Sequence, residues 1–212
     1  MKPPLVYLCK LVIFPFVDIF IKKIEGKENI PQENSFVVAS NHINGRDHFF
    51  IARFLKNRLE DLRFIGALDS LKILLASGLL YYLSNTLIVN RKKPDRKNIL
   101  KKAIKCLKEG RVIIIYPEGD TNPGPSLLKG KTGVAELAIR TEVPVVPVGM
   151  RVKGFFRRRE IRIGKPLYFL KEGKLLKEIE NNKKEYNLLL RKTTDKIMRE
   201  ISKLCNKPYP YG

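Results

Sequence analysis

Phe36-Val37-Val38-Ala39-Ser40-Asn41-His42-Ile43-Asn44-Gly45-Arg46-Asp47 is the stretch on which the fold reading turns. Its first five residues are a short apolar, β-branched run. That pattern predicts a buried strand. Residues 41–47 are polar around Gly45 and predict a loop. Residues 49–55 then predict a helix. A buried strand that runs through a polar loop into a helix is the basic unit of an α/β fold.

The same unit recurs outward along the chain. Strands are expected over 62–66, 86–90, 112–116, 145–149 and 161–163. Helices are expected over 71–83, 98–108, 132–141 and 185–204. Residues 98–108 carry Ile99, Leu100, Ala103, Ile104 and Leu107 on one face and lysines on the other. This is helical periodicity, and Gly110 stops it. Residues 207–212 read as an irregular end. Alternating strands and helices predict an α/β fold with a largely parallel central sheet flanked by helices. In such sheets, function sits in the loops beyond the carboxyl ends of the strands. Three polar clusters fall there: 41–47, Asn90-Arg91, and 117–121.

The amino-terminal segment differs from the rest. Residues 5–21 are rich in Leu, Val, Ile and Phe, but Lys10, Pro15 and Asp18 interrupt them. A transmembrane helix needs about 20 mostly apolar residues, so the reading is a short helix, a Pro15 kink and a second apolar stretch. Residues 1–23 are therefore expected to form a helical segment at a membrane interface, and 24–212 the main domain. A core-packed helix fits the same residues. The chain carries 42 Lys and Arg against 21 Asp and Glu, a net charge of +21. Such an excess implies an anionic partner: a membrane, a phosphorylated substrate or nucleic acid. Three widely spaced cysteines with no C-x-x-C are expected to be reduced, packed thiols rather than a disulfide framework or a zinc site.

Both histidines of the chain, His42 and His48, lie in one region. Asp47 follows His42 at five positions, across Gly45. Such a loop can turn back and set the carboxylate on the imidazole, fixing its tautomer and making the other ring nitrogen a general base. A loop histidine that hydrogen-bonds locally fits the same spacing, and His48 is read in that way. Glu118-Gly119 can hold a polyol hydroxyl or make a plain turn. Arg91 can clamp a phosphate or sit solvated beside Lys92 and Lys93. Lys131, before a helix start, can attract an anion or mark a simple helix entry. The sequence has no serine nucleophile in a G-x-S-x-G setting, no H-E-x-x-H and no P-loop.

Four blocks in order resemble the lysophospholipid acyltransferase family, whose best-known members are the 1-acylglycerol-3-phosphate acyltransferases. Asn41-His42-Ile43-Asn44-Gly45-Arg46-Asp47 is similar to its N-H-x-x-x-x-D block. Thr86 to Arg91 looks like an apolar strand ending in arginine, Tyr116-Pro117-Glu118-Gly119 resembles F-P-E-G, and Val143 to Val148 resembles V-P-[IV]-[IV]-P-V. Gly26 to Pro31 and Gly130 to Ala135 resemble the flanking G-x-E-N-[LI]-P and G-K-T-G-[VA]-A segments.

The resemblance implies an acyltransferase domain over 24–212, with His42 the general base and Asp47 its orienting partner. Asn41, Arg91, Glu118, Gly119 and Lys131 would bind substrate, with Arg91 and Lys131 facing the acceptor phosphate. The donor would be acyl-ACP or acyl-CoA, the acceptor a lysophospholipid, most simply 1-acyl-sn-glycerol 3-phosphate. No cofactor or metal is expected. The place implied is the cytoplasmic face of the cell membrane, peripheral or monotopic, on an anionic surface. One departure stands out: the family continues F-P-E-G with Thr-Arg-Ser, and here the residues are Asp120-Thr121-Asn122. The departure opens zwitterionic or amino-acid-based lysolipids as alternative acceptors. A non-enzymatic basic module binding nucleic acid is the reading from another class, but no helix-turn-helix, zinc or aromatic single-strand signature supports it.

Overall fold

A computed structural model describes residues 9–32, 34–66, 87–88, 95–154, 158–179 and 181–211. The expected helix over 71–83, Arg91, residues 5–8 and the outer residues of the 86–90 strand lie outside these.

The described strands are β1 (Ile21–Glu25), β2 (Val37–Ser40), β3 (Leu62–Gly66), β4 (Leu87–Ile88), β5 (Val112–Ile115), β6 (Val145–Lys153) and β7 (Arg158–Ile163). They form one sheet in the order β1-β7-β6-β2-β5-β3-β4. The β6–β7 pair is antiparallel and the other neighbouring pairs are parallel. The largely parallel α/β sheet is thus as the sequence reading has it. The helices are α1 (Phe14–Ile19, preceded by a π-type turn over Cys9–Ile13), α2 (Asp47–Phe54), α3 (Arg96–Lys108), α4 (Gly133–Thr141), α5 (Leu170–Ile179) and α6 (Lys183–Cys205).

Covering both faces of the sheet explains the apolar runs. Every residue of β2 is buried. Phe36 and Val38 point into one core, with Phe14, Phe50, Ile51 and Leu55 of α1 and α2. Val37 and Ala39 point into the other, with α3, α4 and α6 residues such as Leu107, Leu137 and Ile197. A strand buried on both sides loses the polar–apolar alternation of a surface strand. Edge strand β1 is the opposite case. Its Lys22 and Lys23 are exposed, and edge charge of this kind discourages further strand pairing.

Several boundaries differ from the sequence reading. Residues 21–23 of the expected amino-terminal segment lie in β1, paired to β7. Pro15 sits in the first turn of α1, directly after the π-type turn Cys9–Ile13. The strand expected over 145–149 runs on to Lys153, and β7 begins at Arg158 and pairs antiparallel to it. Helix α5 has no counterpart in the sequence reading.

What positions the site is the pairing of β2 with β5. They are adjacent and parallel, so the loops leaving Ser40 and Ile115 emerge at the same sheet edge. These are the two loops that carry His42 and Glu118.

Candidate active site

At the end of β2, Asn41 extends the strand with its side chain. Its Nδ2 donates to Met150 O at 3.0 Å and its Oδ1 accepts from Met150 N at 2.7 Å. Asn41, expected among the substrate-binding residues, is therefore a buried strap between β2 and β6, with both ends of its amide engaged.

Beyond the strap the chain turns and α2 begins at Asp47. His42 Nδ1 lies 3.0 Å from Asp47 Oδ2. The same oxygen accepts the backbone N–H groups of Ile43 at 2.6 Å and Asn44 at 2.8 Å. Asp47 is 0% exposed and stands in the first turn of α2, where the helix dipole favours an anion. The carboxylate selects the tautomer in which Nδ1 carries the proton. Nε2 is then the basic nitrogen. Gly45 is not what makes the turn. It takes no positive φ, and a Cβ built there meets nothing within 4 Å.

The imidazole plane is held from two sides. Tyr116, just past β5, stacks on it at 3.9 Å with 15° between the planes. His48 meets it edge-on at 5.4 Å. His48 is buried, and its Nδ1 donates to Gly45 O at 3.2 Å. Burial, with a contribution from His42, pushes the His48 imidazole down to about 4. His48 is thus neutral at physiological pH, as its reading as a packed neighbour requires.

Glu118, expected to hold a substrate hydroxyl, is turned toward the backbone of His42. It is 3% exposed. Oε1 accepts the backbone N–H of His42 at 3.2 Å, and Oε2 accepts Asn122 Nδ2 at 2.6 Å and Leu128 N at 2.9 Å. Asn122 N also donates to His42 O at 2.6 Å. Glu118 and Asn122 together grip the backbone of His42 on both its polar groups. Gly119 needs its glycine, with φ at +71°, a region that side chains disfavour. Lys131 Nζ lies over it, 3.4 Å from Gly119 O. The structure thus gathers Asn41, His42, Asp47, Glu118, Gly119 and Lys131 at one edge; Arg91 lies outside the described residues.

Sequence reasoning missed three contributors. Arg159 of β7 is 4% exposed, and its guanidinium donates to Asp47 Oδ1 at 3.2 Å. It shares a face with Ile161 and Ile163, which an every-second-residue count along β7 reveals. Asn122 was read only as part of the departure after Gly119. The irregular end is in fact packed: Lys207 Nζ donates to Asn122 O at 3.1 Å, and Leu127 N donates to Pro208 O at 2.9 Å. Among the described residues no group of His, Cys, Asp and Glu is arranged to hold a metal ion.

Comparison with known proteins places this geometry. The family described as Acyltransferase matches residues 22–151. The mouse 1-acyl-sn-glycerol-3-phosphate acyltransferase alpha is 26% identical over 147 residues, covering 68% of this chain and 50% of that protein. The 1-acyl-sn-glycerol-3-phosphate acyltransferase of Pseudomonas aeruginosa is 30% identical over 136 residues, covering 59% and 48%. The chain thus spans about half the length of these relatives. In fold it is similar to the crystal structure of the 1-acyl-sn-glycerophosphate (LPA) acyltransferase PlsC from Thermotoga maritima. The TM-score is 0.57 at 22% identity, covering 96% of this chain and 84% of that one. With the match spanning the strand, the His42–Asp47 loop and the β5 turn, the chain belongs to the acyltransferase family.

Proposed function

We propose that this chain transfers a fatty acyl group from an acyl-CoA or acyl-ACP thioester to the free hydroxyl of a lysophospholipid. The leading acceptor is 1-acyl-sn-glycerol 3-phosphate, and the product is then phosphatidic acid. One observation carries the reading: the 3.0 Å contact of His42 Nδ1 with a carboxylate that is itself fully buried. His42 Nε2 takes the proton of the acceptor hydroxyl as its oxygen attacks the thioester carbonyl. The tetrahedral intermediate collapses with cleavage of the C–S bond, and the thiol leaves with that proton. The side chain of His42 is 12% exposed, so the ring is not closed off from a bound acceptor.

Lys131, exposed above Gly119, is the described cation offered to the acceptor phosphate. Asp120, next to it in the loop, acts against a phosphate. Charge-assisted contacts are worth about 1.5–3 kcal/mol each, so the cation is taken to prevail over one solvated carboxylate. The place of action is a membrane surface, on the cytoplasmic face. Leu11 and Val12 of the π-type turn and Phe16 and Ile19 of α1 are exposed, and Lys10, Lys22 and Lys23 are close to them in sequence. Exposed apolar residues with lysines close in sequence suit shallow insertion into an anionic interface. Among the described residues no helix is long and apolar enough to cross a membrane.

The test is thiol release from an acyl thioester with a panel of lysolipids, run beside His42→Ala. Turnover with lysophosphatidic acid, reduced about 10²–10⁴-fold in the folded variant, is the expected result. Equal turnover in a folded His42→Ala protein would overturn the role of His42. Preference for a zwitterionic acceptor, reversed by Thr121→Arg, would replace the proposed acceptor and make residues 120 and 121 the specificity switch.

A further inference from the structure

Arg159 is a costly residue to bury. One guanidinium nitrogen makes a single contact with Asp47 Oδ1, at 3.2 Å, and its Nε is buried with no hydrogen-bond partner. The ring of Phe50 lies under the guanidinium at 5.2 Å. A single long contact and one aromatic face do not repay the desolvation of a guanidinium. Apolar replacements of buried ion pairs are often as stable or more so. Stability alone does not account for an arginine on the apolar face of β7.

Its position relative to Asp47 does. Oδ2 is taken by His42, Ile43 N and Asn44 N, and Oδ1 by Arg159. Both oxygens are fixed, so the carboxylate cannot rotate away from the imidazole. The charges also form a system. With His42 neutral, Asp47 and Arg159 sum to zero. Without Arg159, the buried pair of His42 and Asp47 carries one net negative charge, which a proton would cancel.

We infer that Arg159 is a positioning residue for the acyl transfer, one that balances the Asp47 carboxylate and so keeps His42 unprotonated and ready to act as base. The inference rests on the reading of His42 as the general base. Among the described residues, several of the charged groups near Arg159 are paired elsewhere. On α1 and α2, Asp18 pairs with Arg53 at 2.8 Å. On β1 and β7, Lys22 pairs with Glu160 at 3.0 Å, and Glu25 with Lys23 at 2.6 Å and Arg162 at 3.0 Å. Arg151 and Lys153 of β6 and Arg158 of β7 flank it in the ladder; Lys153 and Arg158 are exposed and Arg151 half-buried. Around His42 stand Glu118, which accepts its backbone N–H, and the packed rings of His48 and Tyr116. Arg159 is the cation in contact with the pair.

The experiment follows proton uptake directly. The chain has two histidines, so the histidine Cε1–Hε1 region of the full-length protein's NMR spectrum gives two resonances, assigned with His48→Gln. The His42 midpoint is read in the wild type, Arg159→Met and Arg159→Gln, beside the pH profile of kcat/KM. Removing the positive charge should move the midpoint up by about one pH unit. On the acidic limb kcat/KM should fall about tenfold, recovering at alkaline pH, since each unit removes a factor of ten in free base. KM for the lysolipid should hold, and Arg159→Lys should restore the wild-type midpoint. Gln keeps a hydrogen-bond donor for Asp47 without the charge, so it carries the test if Met does not fold. An unmoved midpoint in either neutral variant would overturn the inference, whatever the activity. The proposed function fails separately, if the wild-type protein turns over no acyl donor while the NMR shift is still seen.

Discussion

The two loops that meet at the sheet edge are built in different ways. The loop after β2 closes on itself: Asp47 reaches back to His42 and to two backbone N–H groups within six residues of chain. The loop after β5 is closed by others. Asn122 ties Glu118 to His42, Lys207 and Pro208 hold it from the carboxyl-terminal tail, and Arg191 of α6 donates to Gly130 O at 2.7 Å. The first loop presents the chemistry, and the second holds the first in place. A change at Asp47 in the first should therefore show in the rate, and a change at Glu118 in the second in stability and rate together.

Asp47→Asn breaks the first loop at its centre. An amide can still accept from Ile43 and Asn44, but its NH2 group then faces Arg159, or its flip faces His42. The tautomer of His42 is no longer fixed. Turnover should fall about 10²–10⁴-fold with little change in KM, measured by steady-state thiol release on folded protein. A loss confined to KM would place Asp47 in substrate binding instead.

This contrast also explains what could be read from the chain. The first loop is encoded within a few residues, so the partnership of His42 and Asp47 is visible as spacing. β2 and β5 are visible as apolar runs because both faces are covered. The role of Glu118 was not visible, because two of its donors, Asn122 and Leu128, come from a loop whose shape depends on the tail. Arg159 lies 112 positions from Asp47. In the run Arg157-Arg158-Arg159 it looks like one more solvated charge. Strand β1 was hidden in the apolar amino-terminal segment, since a lysine-bearing edge strand and a membrane-interface segment look alike there.

The close packing of the first loop should make it sensitive to acid. His48 in the folded protein sits near 4 because of its burial, below the ordinary 6.5. As the pH falls, the unfolded chain takes up its proton first. The contribution of this group is therefore fully present above about 6.5 and is lost as the pH falls toward 4, by about 3 kcal/mol in all. Urea denaturation of His48→Gln should show that much less loss of stability between pH 6.5 and 4 than the wild type. Parallel curves for the two proteins would mean that other groups dominate the acid response.

Glu118→Gln sharpens the comparison from the side of the second loop. The carboxylate accepts three donors, and an amide must turn its own donor group toward one of them. One buried N–H is then left unsatisfied, at about 1–3 kcal/mol. The midpoint of thermal unfolding should drop, and kcat should fall as the backbone of His42 loosens, while KM for the lysolipid stays near its wild-type value. The opposite split, with a raised KM and unchanged stability, would return Glu118 to the role of holding the acceptor.

The smallest effect separates the two loop glycines, which the sequence makes look alike. Gly119 has φ at +71°, and a Cβ there would collide with the end of the Lys131 side chain. The lysine can swing aside, but it then leaves Gly119 O, and the left-handed backbone still disfavours a side chain by about 1–2 kcal/mol. Gly45 has neither constraint, because its Cβ would point into open space. Alanine there lowers the entropy of the unfolded chain and should be neutral, or stabilise by about 0.4–1 kcal/mol. Urea midpoints of Gly119→Ala and Gly45→Ala should therefore move in opposite directions, or the second not at all. If Gly45→Ala proved the more damaging, the loop after β2 would depend on glycine after all, and its closure by Asp47 alone would no longer explain the turn.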